Sequence, residues 1–443
     1  MKTARTVVVE ALMHQDQAGY ANLVLDAALK NAALSPQDAA FASAVFYGTV
    51  ERRNTLDYCL NAYLKGGVQK LDSAVRAILR SGLYQMRYMQ SVPDSAAVNE
   101  AVKLTRAFRK SSASGLVNAV LRRAGSMDLS KAQFQNEAQR LSVLQSVSLS
   151  VAQLLLAHYG SEAEDILAAS FAPTETTIRT NYLVNSDQQL CEYLQQQGVE
   201  AVQGGIPGCY RIRCKGSPAQ HPGFLQGRFY VQGEPSQIAA CSLGVQPGQK
   251  VLDLCAAPGG KSLALAGLMQ NSGELFSCDA APSRVPLIEQ AMKRCGVRIA
   301  KVMCADASQY NEALANADRV LCDVPCSGLG ILGKKPDIRY KQLDNLQSLY
   351  TLQYKILENA AKYLNKNGVL VYSTCTINPN ENTAVVAKFL REHPDFAPAE
   401  LPYIPAGALQ DEVRGITILP DRCGMDGFYV ARLQKKAENE NKS

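Results

Sequence analysis

No stretch of the 443-residue sequence is apolar for long enough to cross a bilayer, so a membrane span is not expected. The N-terminus carries Lys2, Arg5 and the short apolar run Val7 to Val9. Glu10 and Asp16 follow at once and no small-residue cleavage site closes a long apolar core, which argues against a secretory signal. Histidine is scarce, with four copies far from one another, and the 13 cysteines show neither zinc spacing nor a redox pair: Cys209 and Cys214 are five apart, Cys322 and Cys326 four apart. No metal is expected, and the thiols read as reduced ones in a cytoplasmic protein. Most should be small apolar core residues, which leaves a chemical role only to those in a special context. There is no internal repeat, and the one biased tract is the polar tail at 435–443, expected to be disordered.

What is present is enough chain for more than one compact core, with 47% hydrophobic and 19% charged residues in a globular balance. Charge is distributed unevenly. Residues 1–145 hold 18 Lys and Arg against 11 Asp and Glu, and the remainder holds 28 against 29, so the net +6 resolves into +7 and −1. A basic face on the first domain would suit a phosphate-rich partner. That domain, residues 1–144, reads as a helical bundle because apolar residues return at spacings of three and four. From Leu71 to Gln90, Val75, Ile78, Leu79 and Met86 take one side while Arg76, Arg80 and Arg87 line another. From Ala96 to Lys110, Val98 and Val102 are apolar and Lys103, Arg106 and Lys110 form a polar stripe; Arg122 and Arg123 add a third cluster. Solvated helix faces explain any one stripe, and three together favour nucleic acid.

Residues 145–234 form a small mixed α/β module: helices at Val151 to Tyr159, Ala163 to Ser170 and Ser186 to Gln197, strand-like runs at Thr177 to Tyr182 and Tyr210 to Cys214, and a Gly/Pro-rich loop at 221–223. The sequence assigns it no chemistry. From 235 to 434 strands and helices alternate, which predicts a mainly parallel sheet. Val251 to Cys255 is a short apolar strand, and Ala256-Ala257-Pro258-Gly259-Gly260-Lys261-Ser262 turns from it into a helix whose free amides could meet a ligand. The next strand ends at Asp279, 20 residues after Gly259, a separation that sets an acid beside ribose hydroxyls in dinucleotide-type folds. Further strands end near Asp306 and at Asp323, and acids at successive strand ends could share one crevice; each alone could equally cap a turn. Cys326 and Cys375 follow two separate strands. A thiolate adding to carbon 6 of cytosine makes carbon 5 an enamine carbon able to accept a methyl group.

The segments Asp253-Leu254-Cys255-Ala256-Ala257-Pro258-Gly259-Gly260-Lys261, Asp323-Val324-Pro325-Cys326-Ser327-Gly328 and Thr374-Cys375-Thr376 together resemble the RNA (cytosine-5) methyltransferase family. Ala97 to Val102 and Gly115 to Arg123 resemble the NusB-type RNA-binding domain attached to its ribosomal RNA branch, and Asp426 to Val430 resembles the family's closing strand. The resemblance implies a NusB-like all-α bundle, the middle module, and a Rossmann-like class I S-adenosylmethionine-dependent methyltransferase domain. It implies that the backbone from Cys255 to Lys261 cradles S-adenosylmethionine, that Asp279 holds its ribose, that Asp306 lies by its adenine, and that Asp323 stands between cofactor and base. Cys375 becomes the nucleophile and Cys326 the residue that aids release, with the reverse assignment as the minority alternative. The implied substrate is small-subunit (16S) ribosomal RNA, with no obligate protein partner indicated. Lys334, Lys335 and the loop through Tyr340 would touch RNA, although the family usually has arginines and a tryptophan there, and this chain has no tryptophan at all. Ser262 and Thr376 also depart from the commoner threonine and serine. Rival readings are a transfer RNA cytosine-5 methyltransferase, an RNA-binding assembly factor with an idle site, and a nicotinamide oxidoreductase, which would have no need of the two cysteines.

Overall fold

The computed structural model describes residues 2–18, 21–173, 175–214 and 216–437; most of the polar tail, 438–443, lies outside the described residues. The chain divides into two compact units, the first made of Met1–Leu167 together with Lys334–Leu343, the second of Ala168–Gly333 together with Asp344–Ser443.

The first unit is helical. Its helix Ser73–Tyr88 starts where the Asp72 side chain accepts from the Ala74 amide, and Asp94–Ala107 and Ser114–Gly125 pack beside it. Phe46, Leu56, Ile78, Leu83 and Leu121 are among its fully buried core. Segment 334–343, which contains the loop Lys334 to Tyr340 expected at RNA, is part of this unit: the Tyr340 hydroxyl donates to the Val50 carbonyl at 2.7 Å, the Ser148 amide donates to the Arg339 carbonyl at 2.7 Å, and the Arg53 guanidinium lies 3.7 Å from the centre of the Tyr340 ring. Arg339 is wholly buried, and its burial pulls the guanidinium pKa down to about 10.

The second unit opens with a four-stranded antiparallel sheet, β1 (Thr176–Thr180), β2 (Glu200–Gln203), β3 (Cys209–Arg213) and β4 (Phe229–Val231), in the order β2-β3-β1-β4. The helices Asp187–Gln196 and Pro222–Leu225 complete a βαββαβ unit. Ser186 and Gln189 start the first of these helices with a capping box. The sequence reading missed β2 and β4, which are four and three residues long and too short to show alternation.

A nine-stranded sheet follows: β5 (Lys250–Asp253), β6 (Glu274–Asp279), β7 (Ala300–Cys304), β8 (Ala317–Asp323), β9 (Leu364–Thr374), β10 (Phe396–Ala399), β11 (Leu409–Gln410), β12 (Ile416–Ile418) and β13 (Phe428–Lys435). The order is β11-β12-β13-β9-β8-β5-β6-β7, with β10 also on β13. Strands β5 to β9 pair in parallel and β13 returns antiparallel to β9. Order reverses between β5 and β8, and an open α/β sheet leaves its crevice outside the carboxyl ends of the strands at such a reversal. Their near-continuous apolar content, Val251-Leu252 and Val320-Leu321-Cys322 included, reflects burial on both faces. Among the described residues no single helix is long and apolar enough to cross a membrane.

Candidate active site

Strand β5 ends at Asp253, and Leu254 and Cys255 already belong to the turn, where the Leu254 amide donates to the Leu321 carbonyl at 3.0 Å. The Ala256 amide donates to the Cys278 carbonyl at 2.7 Å, and Arg284 donates to the Ala257 carbonyl at 2.9 Å. After Pro258, Gly259 adopts φ +107°, a left-handed conformation that side chains resist, and a Cβ there would stand 3.3 Å from that of Ala291. The helix Gly260–Leu268 begins immediately, earlier than the sequence suggests, so that Lys261 and Ser262 lie in its first turn.

Asp279 ends β6. Its oxygens accept from the amides of Ala257 at 3.3 Å and Ala281 at 3.0 Å, and Arg284 lies 3.4 Å away. Asp306, exposed two residues past β7, accepts from both the amide and the hydroxyl of Ser308 at 2.9 and 2.8 Å. Beside the first turn of the helix Gly260–Leu268 stands Gln232, which sequence reasoning did not single out. It is buried, neither its amide nitrogen nor its amide oxygen has a hydrogen-bond partner, and its Nε2 lies 3.5 Å from where a Gly260 Cβ would be. A buried amide left open against a free helix N-terminus fits a polar ligand, so this cradle suits the cofactor that the resemblance implies.

Asp323 ends β8 beside Ser373 of β9. One oxygen accepts from Lys261 Nζ at 2.6 Å and the other from Ser373 Oγ at 2.8 Å. Burial opposes the charge on Lys261, yet the Asp323 carboxylate outweighs it and the ammonium pKa is raised, with the Cys375 sulfur adding to the pull.

The two cysteines expected to act together are together: Cys326 Sγ and Cys375 Sγ lie 3.2 Å apart, although 49 residues separate them in the chain. Their loops are held by backbone. Gly330 donates to the Cys375 carbonyl at 3.0 Å and the Gly427 amide donates to the Gly330 carbonyl at 2.7 Å, a contact so close that a Cβ on Gly330 would sit 1.9 Å from the Gly427 carbonyl oxygen. The hydrogen bond with Cys375 raises the Cys326 pKa most, and burial adds to it. Cys255, Cys278 and Cys322 are held as neutral thiols by burial, Cys278 with a pKa of about 12. Cys278 and Cys322 lie within β6 and β8, and Cys255 lies in the turn after β5. Among the described residues no group of three or more His, Cys, Asp or Glu is arranged to hold a metal ion.

The basic residues fare unevenly. Arg80 is buried, with Nε and Nη2 each 2.7 Å from an oxygen of Asp57 and Nη1 3.1 Å from Asp16, and Arg76 donates to Asp16 at 2.9 Å. Both were expected to face RNA. They are instead internal cross-links of the helical unit, because carboxylates remote in sequence fold onto them. Lys103 pairs with Glu100 and Lys110 with Asp72, while Arg106, Arg122, Arg123, Lys334 and Lys335 are exposed.

The family described as 16S rRNA methyltransferase RsmB/F matches residues 240–434, and the NusB family matches residues 2–126. The chain is 34% identical to the probable ribosomal RNA small subunit methyltransferase B of Bacillus subtilis, over 98% of this chain and 99% of that protein. It is 33% identical to the protein of the same description from Synechocystis, over 94% and 95% of the two. The crystal structure of PH0851 superposes with a TM-score of 0.83 at 26% identity, over 98% of both chains.

Proposed function

The chain belongs to the RsmB/F family of 16S rRNA methyltransferases, and from that premise we propose that it methylates carbon 5 of a cytosine in small-subunit ribosomal RNA through a covalent bond between Cys375 and the base. The observation that carries the covalent step is the pair of sulfurs 3.2 Å apart at the ends of two strands, flanked by the Lys261–Asp323 pair.

S-adenosylmethionine, when bound, supplies an electrophilic methyl group. The turn Cys255 to Lys261 and Gln232 would hold it, with Asp279 at its ribose and Asp306 at its adenine. A target cytosine must leave its stack to present a ring face. Cys375 then adds to carbon 6, its thiolate favoured by the neighbouring Lys261 ammonium, and the electron pair displaced from the carbon 5–carbon 6 double bond makes carbon 5 nucleophilic. Asp323, which is hydrogen-bonded to Lys261 and Ser373, would hydrogen-bond the activated base. After carbon 5 is methylated its proton passes to a water molecule, the C5–H electron pair re-forms the double bond and the carbon 6–sulfur bond breaks to expel the Cys375 thiolate, with Cys326 aiding release. Arg106, Arg122, Arg123, Lys103, Lys110, Lys334 and Lys335 would hold flanking phosphates, contacts that position RNA without reading its sequence.

The test mixes Cys326→Ala and Cys375→Ala chains with S-adenosylmethionine and small-subunit ribosomal RNA, with transfer RNA in parallel, and looks for protein-linked RNA on a denaturing gel. Cys326→Ala should accumulate an adduct with ribosomal RNA, and Cys375→Ala should give neither adduct nor methylation. The reverse pattern exchanges the cysteines, adduct with transfer RNA alone overturns the substrate, and methylation by Cys375→Ala overturns the covalent step.

A further inference from the structure

Glu381 lies in none of the motifs from which the site was read, yet both cysteine loops are tied to it. Its side chain is fully buried. One carboxylate oxygen accepts from the Ser327 amide at 2.8 Å and from Gln353 Nε2 at 3.0 Å. The other accepts from the Ser327 hydroxyl at 2.5 Å, from Asn378 Nδ2 at 3.0 Å and from the Thr376 hydroxyl at 3.4 Å. Ser327 follows Cys326 and Thr376 follows Cys375, and their two hydroxyls are themselves 2.8 Å apart. The backbone carbonyl of Glu381 accepts from the Tyr372 hydroxyl at 2.6 Å, which fixes the residue to β9.

The five donors, the Ser327 amide and four side-chain groups, are all neutral, so the buried carboxylate is met by hydrogen bonds from uncharged groups. Such burial is costly, and a glutamine could not accept at both ends of its amide. We propose that Glu381 is a positioning residue that holds the Cys326 and Cys375 loops together and, by its charge beside Cys326, keeps the proton on that thiol so that Cys375 is the sulfur left free to attack.

The charges around the pair are arranged accordingly. Lys261 acts on Cys375, whereas Glu381 and Asp323 act on Cys326, and Tyr372 beside them is held neutral by burial and by the Glu381 charge. The raised pKa of Cys326 comes first from its hydrogen bond with Cys375, then from burial and the Cys375 charge, and then from Glu381 and Asp323. Removing the carboxylate charge therefore lowers the barrier to ionising the wrong thiol.

The inference rests on the covalent reading above, but its tests need neither cofactor nor RNA, so the two fail separately. In the full chain carrying Cys375→Ser, the rate at which iodoacetamide alkylates Cys326 is followed against pH by mass spectrometry. Adding Glu381→Gln should move the midpoint down by about one pH unit, the effect of removing a neighbouring like charge, and Glu381→Asp should restore most of it. An unmoved midpoint in folded Glu381→Gln overturns the proposal. Should Glu381→Gln fail to fold, Ser327→Ala decides with the carboxylate intact: diamide, taking two electrons and two protons from the thiols, should join Cys326 to Cys375 several-fold more slowly than in the unaltered chain. An unchanged rate there also overturns it.

Discussion

Asp253 is wholly buried at the end of β5, directly beneath the cofactor turn. One oxygen accepts from Ser262 Oγ at 2.6 Å, Ser277 Oγ lies 2.8 Å beyond that hydroxyl, and the other carboxylate oxygen has no partner. Burial pushes its pKa from 3.8 to about 6, and the Ser262 hydrogen bond and the Lys261 charge pull back without cancelling it. Below the unfolded value both folded and unfolded chains hold the proton, and the site costs nothing. As pH rises through the folded value the unfolded chain has released its proton while the folded chain gives it up late, so stability is lost. Two units correspond to about 3 kcal/mol above pH 7, roughly half of it already lost at pH 5. Asp253→Asn cannot titrate. Guanidinium unfolding of both proteins, followed by circular dichroism at about pH 5 and about pH 7.5, should show the stability difference moving in favour of Asn by about 1.5 kcal/mol. Any fixed penalty from the extra N–H donors cancels in that comparison. A difference that is the same at both pH values refutes the reasoning.

Gln232→Ala should weaken binding of S-adenosylmethionine about tenfold, the worth of one buried hydrogen bond, and calorimetry that finds no change would show that the open amide faces something else. Asp57→Asn, which removes the bidentate partner of buried Arg80, should cost about 3 kcal/mol in thermal unfolding while leaving the KM for the cofactor unaltered. Arg122→Ala combined with Arg123→Ala should reduce RNA affinity and flatten the slope of log K against log salt by about one to two; a salt slope that does not move would remove these residues from the RNA surface.

Much of the site was legible because it is written in short contiguous segments. Asp279 at its strand end and the two cysteines after β8 and β9 lie where the residue types and their spacing put them, while the turn between β5 and its helix begins and ends earlier than expected, running from Leu254 to Gly259. Arg80 was not legible, since an arginine at helical spacing looks the same whether it faces water or a carboxylate, and Asp16 lies 64 residues away. Glu381 was hidden for the same reason: its partners Gln353 and Ser327 lie 28 and 54 residues off. The polar run Asn378-Pro379-Asn380-Glu381-Asn382 so soon after Cys375 was its one visible trace. Strands β2, β4, β11 and β12 have two to four residues and carry too little pattern to be read.

The ten residues from Lys334 to Leu343 leave the methyltransferase unit, settle into the helical one, and hand the chain back at Asp344. The helical unit is therefore stitched into the sequence at two places rather than appended at one. A fragment ending at Leu167 would lack its own Tyr340 and Arg339, leaving the Val50 carbonyl and the Ser148 amide without the partners they have in the whole chain. Ribosomes synthesise the first 167 residues well before the stitch, so the helical unit must wait for sequence from the middle of the catalytic unit before its last hydrogen bonds can close.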